Sequence, residues 1–189
     1  MDSYTFEMLV GQKAPIPGHT YTNHEEDIYV GYRYFDTFGK PVAYPFGYGL
    51  SYTTFEFTKP TVKVNNDIVT VTITVKNTGS VSGKEVAQVY VTAPQEKIEK
   101  PVHELKTFAK TRELQPGESQ VLTMQIPVRD LASFDEAGSQ WLTEAGTYTF
   151  SIGSSSRDIH ATATAKLKEY TEKTTQALAP RQKLNLLKK

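Results

Sequence analysis

The residues with which this chain could do chemistry are few. Histidine stands at positions 19, 24, 103 and 160. A run of acids, Glu25-Glu26-Asp27, follows His24, with Asp36 a little further on. Cleavage of a glycosidic bond needs one carboxyl as acid and another as base or nucleophile, roughly 5 to 9.5 Å apart. On an extended chain Glu25 and Asp27 share a side, but the surrounding sequence supplies no pocket, and the run reads as a solvated acidic loop. No histidine pair has the H-x-x-x-H or H-E-x-x-H spacing of a zinc helix. A hard cation or zinc beside His19 and His24 is imaginable, yet the solvated loop is the preferred reading. No G-x-S-x-G elbow occurs. Gly49-Leu50-Ser51 lacks the closing glycine, and Ser154-Ser155-Ser156 has the texture of a hairpin loop. Gly47-Tyr48-Gly49 lacks the third glycine and following helix of a dinucleotide site. Cysteine is absent, which excludes disulfides and thiol catalysis. No catalytic residue, metal ligand or cofactor is assigned.

The other chemically active feature is aromatic density. The chain has 11 Tyr and nine Phe, crowded between residues 29 and 57. Tyr29, Tyr32, Tyr34, Phe46, Tyr48 and Tyr52 are candidates for a domain interface or, as the alternative, for stacking against a sugar, because each ring offers a large apolar face and the tyrosines a polar handle. Such rings in a segment too irregular to fold alone favour the interface, with the outer faces pressed on a neighbouring body.

The elements that must position these residues are strands. Residues 1 to 27 carry Pro15, Pro17 and Gly18 and read as extended loop. Between 28 and 52 short aromatic runs alternate with glycines. Phe38-Gly39 reads as a turn between two short strands, and Pro45, Gly47 and Gly49 argue against helix. From Phe55 onward the texture is β. Ile68–Asn77 alternates Val69, Val71, Ile73 and Val75 with Thr70, Thr72, Thr74 and Lys76, a period of two. Similar patterns occupy 85–93, 105–109, 119–128, 146–153 and 159–167, separated by turns such as Gln115-Pro116-Gly117-Glu118. About seven strands without an intervening amphipathic helix predict an all-β, immunoglobulin-like antiparallel β-sandwich. Trp141 is expected to plug one end of its core. The organisation follows: 1–54, an irregular aromatic strap; 55–169, the sandwich; 170–189, a polar basic tail broken by Pro180, in which Leu184, Leu186 and Leu187 form a short stretch capable of docking.

Composition narrows the partners. Twenty-one basic residues balance 21 acidic ones, so no global field draws in nucleic acid or an anionic membrane. No apolar run approaches the roughly 20 residues of a membrane helix. Met1–Val10 lacks the basic and apolar regions of a signal peptide, and the compartment stays open.

The segment Glu26 to Phe57, EDIYVGYRYFDTFGKPVAYPFGYGLSYTTFEF, resembles the C-terminal signature of glycoside hydrolase family 3, the β-glucosidases and β-xylosidases. The matching runs are Ile28 to Tyr34 and Pro45 to Phe55. Val75-Lys76-Asn77-Thr78-Gly79, Gly83 to Tyr90, Leu105 to Phe108 and Leu114 to Glu118 resemble that family's fibronectin type III-like domain. The resemblance spans roughly residues 20 to 168. It implies that 1–54 contains the end of an α/β domain, and that the aspartate nucleophile and glutamate acid/base lie in domains outside this stretch. The region is then an accessory of an enzyme that hydrolyses terminal β-linked sugars with retention, plausibly a periplasmic or secreted one. Its partners are that enzyme's catalytic domains. Packing of one copy's strap on another's would give self-association.

Overall fold

The computed structural model describes residues 24–175, 177, 179 and 183–189. The expectations placed on residues 1–23, His19 among them, lie outside the described residues.

Strand β1 (Phe55–Asn65) pairs with β2 (Ile68–Asn77), and β2 with β5 (Ser119–Pro127), all antiparallel. This three-stranded sheet faces a four-stranded one in the order β4-β3-β8-β9, formed by β3 (Val86–Thr92), β4 (Glu104–Lys110), β8 (Gly146–Gly153) and β9 (Ile159–Leu167). The period-two pattern of β2 does what it predicts: Val69, Val71, Ile73 and Val75 are all fully buried. They meet Ala87, Val89 and Val91 of β3 and Tyr148, Phe150 and Ile152 of β8 in one core cluster. Each valine, isoleucine or phenylalanine so buried stabilises the fold by about 1.5–3 kcal/mol relative to exposure. Tyr148 adds a corner tie, its hydroxyl donating to Glu144 O at 3.0 Å. Burial, opposed only in part by its hydrogen bond, pushes its phenol up to about 12. Pro60 is accommodated in edge strand β1 at a register shift between Thr58 and Thr61, beside Lys59 at φ 56°. The fold class is therefore the all-β sandwich that the sequence predicts.

Four details differ. There are ten strands rather than about seven. The additional ones include a small sheet, β10-β7-β6, of β6 (Ser133–Asp135), β7 (Gln140–Thr143) and β10 (Tyr170–Lys173). Their shortness hid them, and β10 makes the opening of the 170–189 stretch a paired strand rather than polar tail. Trp141 does not plug the core. It lies on β7, 42% exposed, with its ring edge-on to Phe134 across the strand pair. Finally, Phe38-Gly39 does not join two short strands: the run before it is a helix, α1 (Tyr32–Thr37), and the next strand begins only at Phe55. Gly39 stops it: at φ 61° its N–H reaches Asp36 O and that of Lys40 reaches Phe35 O, the left-handed C-terminal closure that glycine permits.

Candidate domain interface

Strand β3 shows where the strap lies. Its inner face holds Ala87, Val89 and Val91, yet Gln88 and Tyr90 on the outer face are buried too. Residues 29–54 cover them. Gln88 Nε2 donates to Gly47 O (3.1 Å) and Ser154 O (2.5 Å), and its Oε1 accepts from Tyr90 Oη (2.7 Å). The strap comes so close that a Cβ on Gly47, at φ 81°, would stand 2.0 Å from Gln88 Oε1. Ser156 N donates to Phe46 O at 2.8 Å.

The helix is stapled through charge. The Asp36 carboxylate, 6% exposed, accepts from Arg157 Nε at 2.6 Å and lies 3.0 Å from His103 Nε2. Arg157 Nη2 donates to Phe35 O (3.2 Å) and Lys40 O (2.8 Å). Burial opposes the charge on Asp36, but the hydrogen bonds and positive charge of Arg157 outweigh it and hold the carboxyl below its ordinary value. Val102 N donates to Thr37 Oγ1 (3.0 Å) and Leu105 N to Tyr32 Oη (2.8 Å). The loop supplying Val102 is itself fixed by a buried ion pair, Lys100–Glu144. Glu144 also accepts the backbone N–H groups of Glu96, Lys97 and Ile98. At the strap's end Asn77 is fully satisfied: Oδ1 takes Thr53 Oγ1 (2.7 Å) and Gly79 N (3.0 Å), while Nδ2 gives to Val81 O (2.8 Å) and Leu114 O (2.9 Å).

The six aromatic candidates divide. Tyr29 is 2% exposed, edge-on to Phe38, with its hydroxyl on Glu99. Tyr32 stacks on Phe46 at 4.4 Å and meets Tyr90 edge-on. Tyr34 packs between Phe35 and Phe38. Tyr29 and Tyr32 thus face the sandwich, while Tyr34 packs within the strap. Phe46 and Tyr48 are about half exposed, and Tyr52 is fully so, at 102%. Tyr44 and Leu50 extend the outward set, and the Tyr44 and Tyr48 rings are tilted 35° apart rather than coplanar. The sugar-stacking module is thus not supported: half of its rings are spent on internal packing.

The chemistry-bearing residues fall into structural roles. Glu25, Glu26 and Asp27 occupy an exposed turn, where His24 Nδ1 pairs with Glu26 at 3.0 Å. Among the described residues no group of three His, Asp or Glu side chains could hold a metal ion. Ser154 Oγ donates to Asp158 at 2.5 Å, and Ser155 Oγ caps the backbone of the same loop. Sequence reasoning missed Gln88, Asp36, His103, Arg157, Lys100 and Glu144 as interface residues. Their long-range partners lie 41 to 122 positions away, so no local spacing announces them.

Comparison with known proteins agrees with this geometry. Residues 85–156 match the model of the fibronectin type III-like domain. The chain is 47% identical over 165 residues to a β-glucosidase of Ruminococcus albus, covering 83% of this chain and 17% of that protein. It is 44% identical over 151 residues to an exo-α-(1→6)-L-arabinopyranosidase of Bifidobacterium longum, covering 79% and 20%. Among solved structures, β-glucosidase 3B of Thermotoga neapolitana superposes with a TM-score of 0.77 at 53% identity, over 80% of this chain and 21% of that one. The Kluyveromyces marxianus β-glucosidase does so with 0.76 at 44%, over 79% and 18%. The sandwich is a fibronectin type III-like domain. With the strap that precedes it, the chain belongs to the C-terminal region of glycoside hydrolase family 3, and it spans about a fifth of the length of the relatives it matches.

Proposed function

We propose that this region is a non-catalytic buttress of a β-glucosidase-like enzyme that hydrolyses terminal β-linked sugars with retention, and that it meets the catalytic domains through the outward rings of the strap. The reading rests on one observation above the others. The strap is fastened to the sandwich on its inner side by Gln88, Asp36, His103 and Arg157, yet it turns Tyr44, Tyr48, Leu50 and Tyr52 outward. Large apolar side chains held rigidly at a surface are what a docking face requires. In this arrangement residues 1–54 belong to the preceding domain and its strap, and 55–169 to the sandwich. The names of the similar proteins, β-glucosidases and an arabinopyranosidase, support a glycosidase as the parent. The test is hydrolysis of aryl β-glucoside and β-xyloside by the purified chain beside a full-length enzyme carrying it. Activity in the full-length enzyme alone is expected. Turnover by the chain that disappears on mutating Glu25, Glu26 and Asp27 would overturn the reading.

A further inference from the structure

Residues 183–189 lie along the strap. Leu187 N donates to Glu25 O at 2.7 Å, a backbone bond to the strap. Lys189 N donates to the Glu99 carboxylate, which also accepts the Tyr29 hydroxyl, so one side chain joins tail, strap and the β3–β4 loop. Leu184, Leu186 and Leu187 are half-buried, while Lys183, Asn185, Lys188 and Lys189 are exposed. Leu186, Leu187 and Lys188 form one wall of an open cleft of about 590 Å³, whose other walls include Tyr29, Ile98, Phe134 and Trp141. The cleft thus joins four separate pieces of chain: the strap, the β3–β4 loop, the small sheet and the tail.

We propose that residues 184–189 are a latch that fastens the 25–29 end of the strap to the sandwich. The tail supplies one wall of the cleft through Leu186 and Leu187 and is held by a backbone hydrogen bond to the strap and by Glu99. This stands independently of whether the strap also carries catalytic domains.

Trp141 is the single tryptophan of the chain and lines the same cleft as Leu186 and Leu187, so its emission reports whether the tail is in place. In the whole chain, Leu186→Asp with Leu187→Asp should shift Trp141 emission to the red and raise its quenching by acrylamide. Hydrogen-exchange protection of the Tyr29 amide, bonded to Glu26 O, should be lost while that of β2 is kept. A synthetic peptide of residues 183–189 added in excess should reverse both changes, and the same peptide carrying the two aspartates should not. Unchanged emission and exchange in the variant, or changes that the peptide fails to reverse, would overturn the proposal. If the aspartate pair costs the sandwich its near-UV signal, the Leu186→Ala, Leu187→Ala chain answers the same question.

Discussion

Asn77 joins three pieces of chain with four hydrogen bonds from one buried amide. Replacing it by alanine strands Val81 O, the Gly79 N–H and the Thr53 hydroxyl, and leaves Leu114 O with Gly83 N alone, at a cost of about 3 kcal/mol. A fall in the urea midpoint at unchanged slope would show it. Lys100 is similar in logic and opposite in chemistry. Lys100→Ala leaves the Glu144 carboxylate buried without its cation, and a loss of about 3–5 kcal/mol is expected in the same experiment. Two buried carboxyls also set the acid response. Burial tends to raise both Asp36 and Glu144, but their hydrogen bonds and cations hold both below their ordinary values. The unfolded chain therefore binds more protons than the folded one as acid is added. The stabilisation is complete above the unfolded pKa, about 4, and is lost as pH falls through the lower folded values. Asp36→Asn should flatten the fall of melting temperature below about pH 4, while Glu26→Gln, in its exposed turn, should leave that profile nearly unchanged.

At the scale of elements the strap depends on close approach. Gly47→Ala places a methyl against Gln88 in a backbone conformation that alanine rarely adopts. Exchange protection at Ser156 N, bonded to Phe46 O, should drop while that of β2 persists. Such consequences separate what was legible in the sequence from what was not. The strands around Val69–Val75 and Tyr148–Ile152 were readable because burial on one face leaves a period of two in the residues themselves. Helix α1 was not: six residues are too few to show a 3.6-residue period, and four of its residues, Tyr32, Tyr34, Phe35 and Thr37, are β-branched or aromatic, types that favour strands. The one local sign of the helix end was Gly39, which equally fits a turn. The small sheet was hidden because a four-residue strand such as Gln140–Thr143 has no room for a pattern. The aromatic cluster was legible as an interface candidate, but its division into inward and outward rings was not. That division is decided by Gln88, His103 and Arg157, residues distant in sequence that the fold brings against the inner side of the strap.

At the scale of the whole molecule, a well-packed fibronectin type III-like sandwich carries a strap whose inner side is saturated with contacts and whose outer side is not. The inner staples make the strap part of the sandwich's own stability, whereas the outer rings of Tyr44, Tyr48 and Tyr52 stay half to fully exposed. That asymmetry yields a direct measurement: the melting temperatures of the isolated chain and of a full-length enzyme, each with and without Tyr48→Ala and Tyr52→Ala. The account predicts little change in the isolated chain, where both side chains are exposed, and a clear destabilisation, with lower activity at elevated temperature, in the full-length enzyme. A full-length enzyme as stable with the alanines as without them would contradict it.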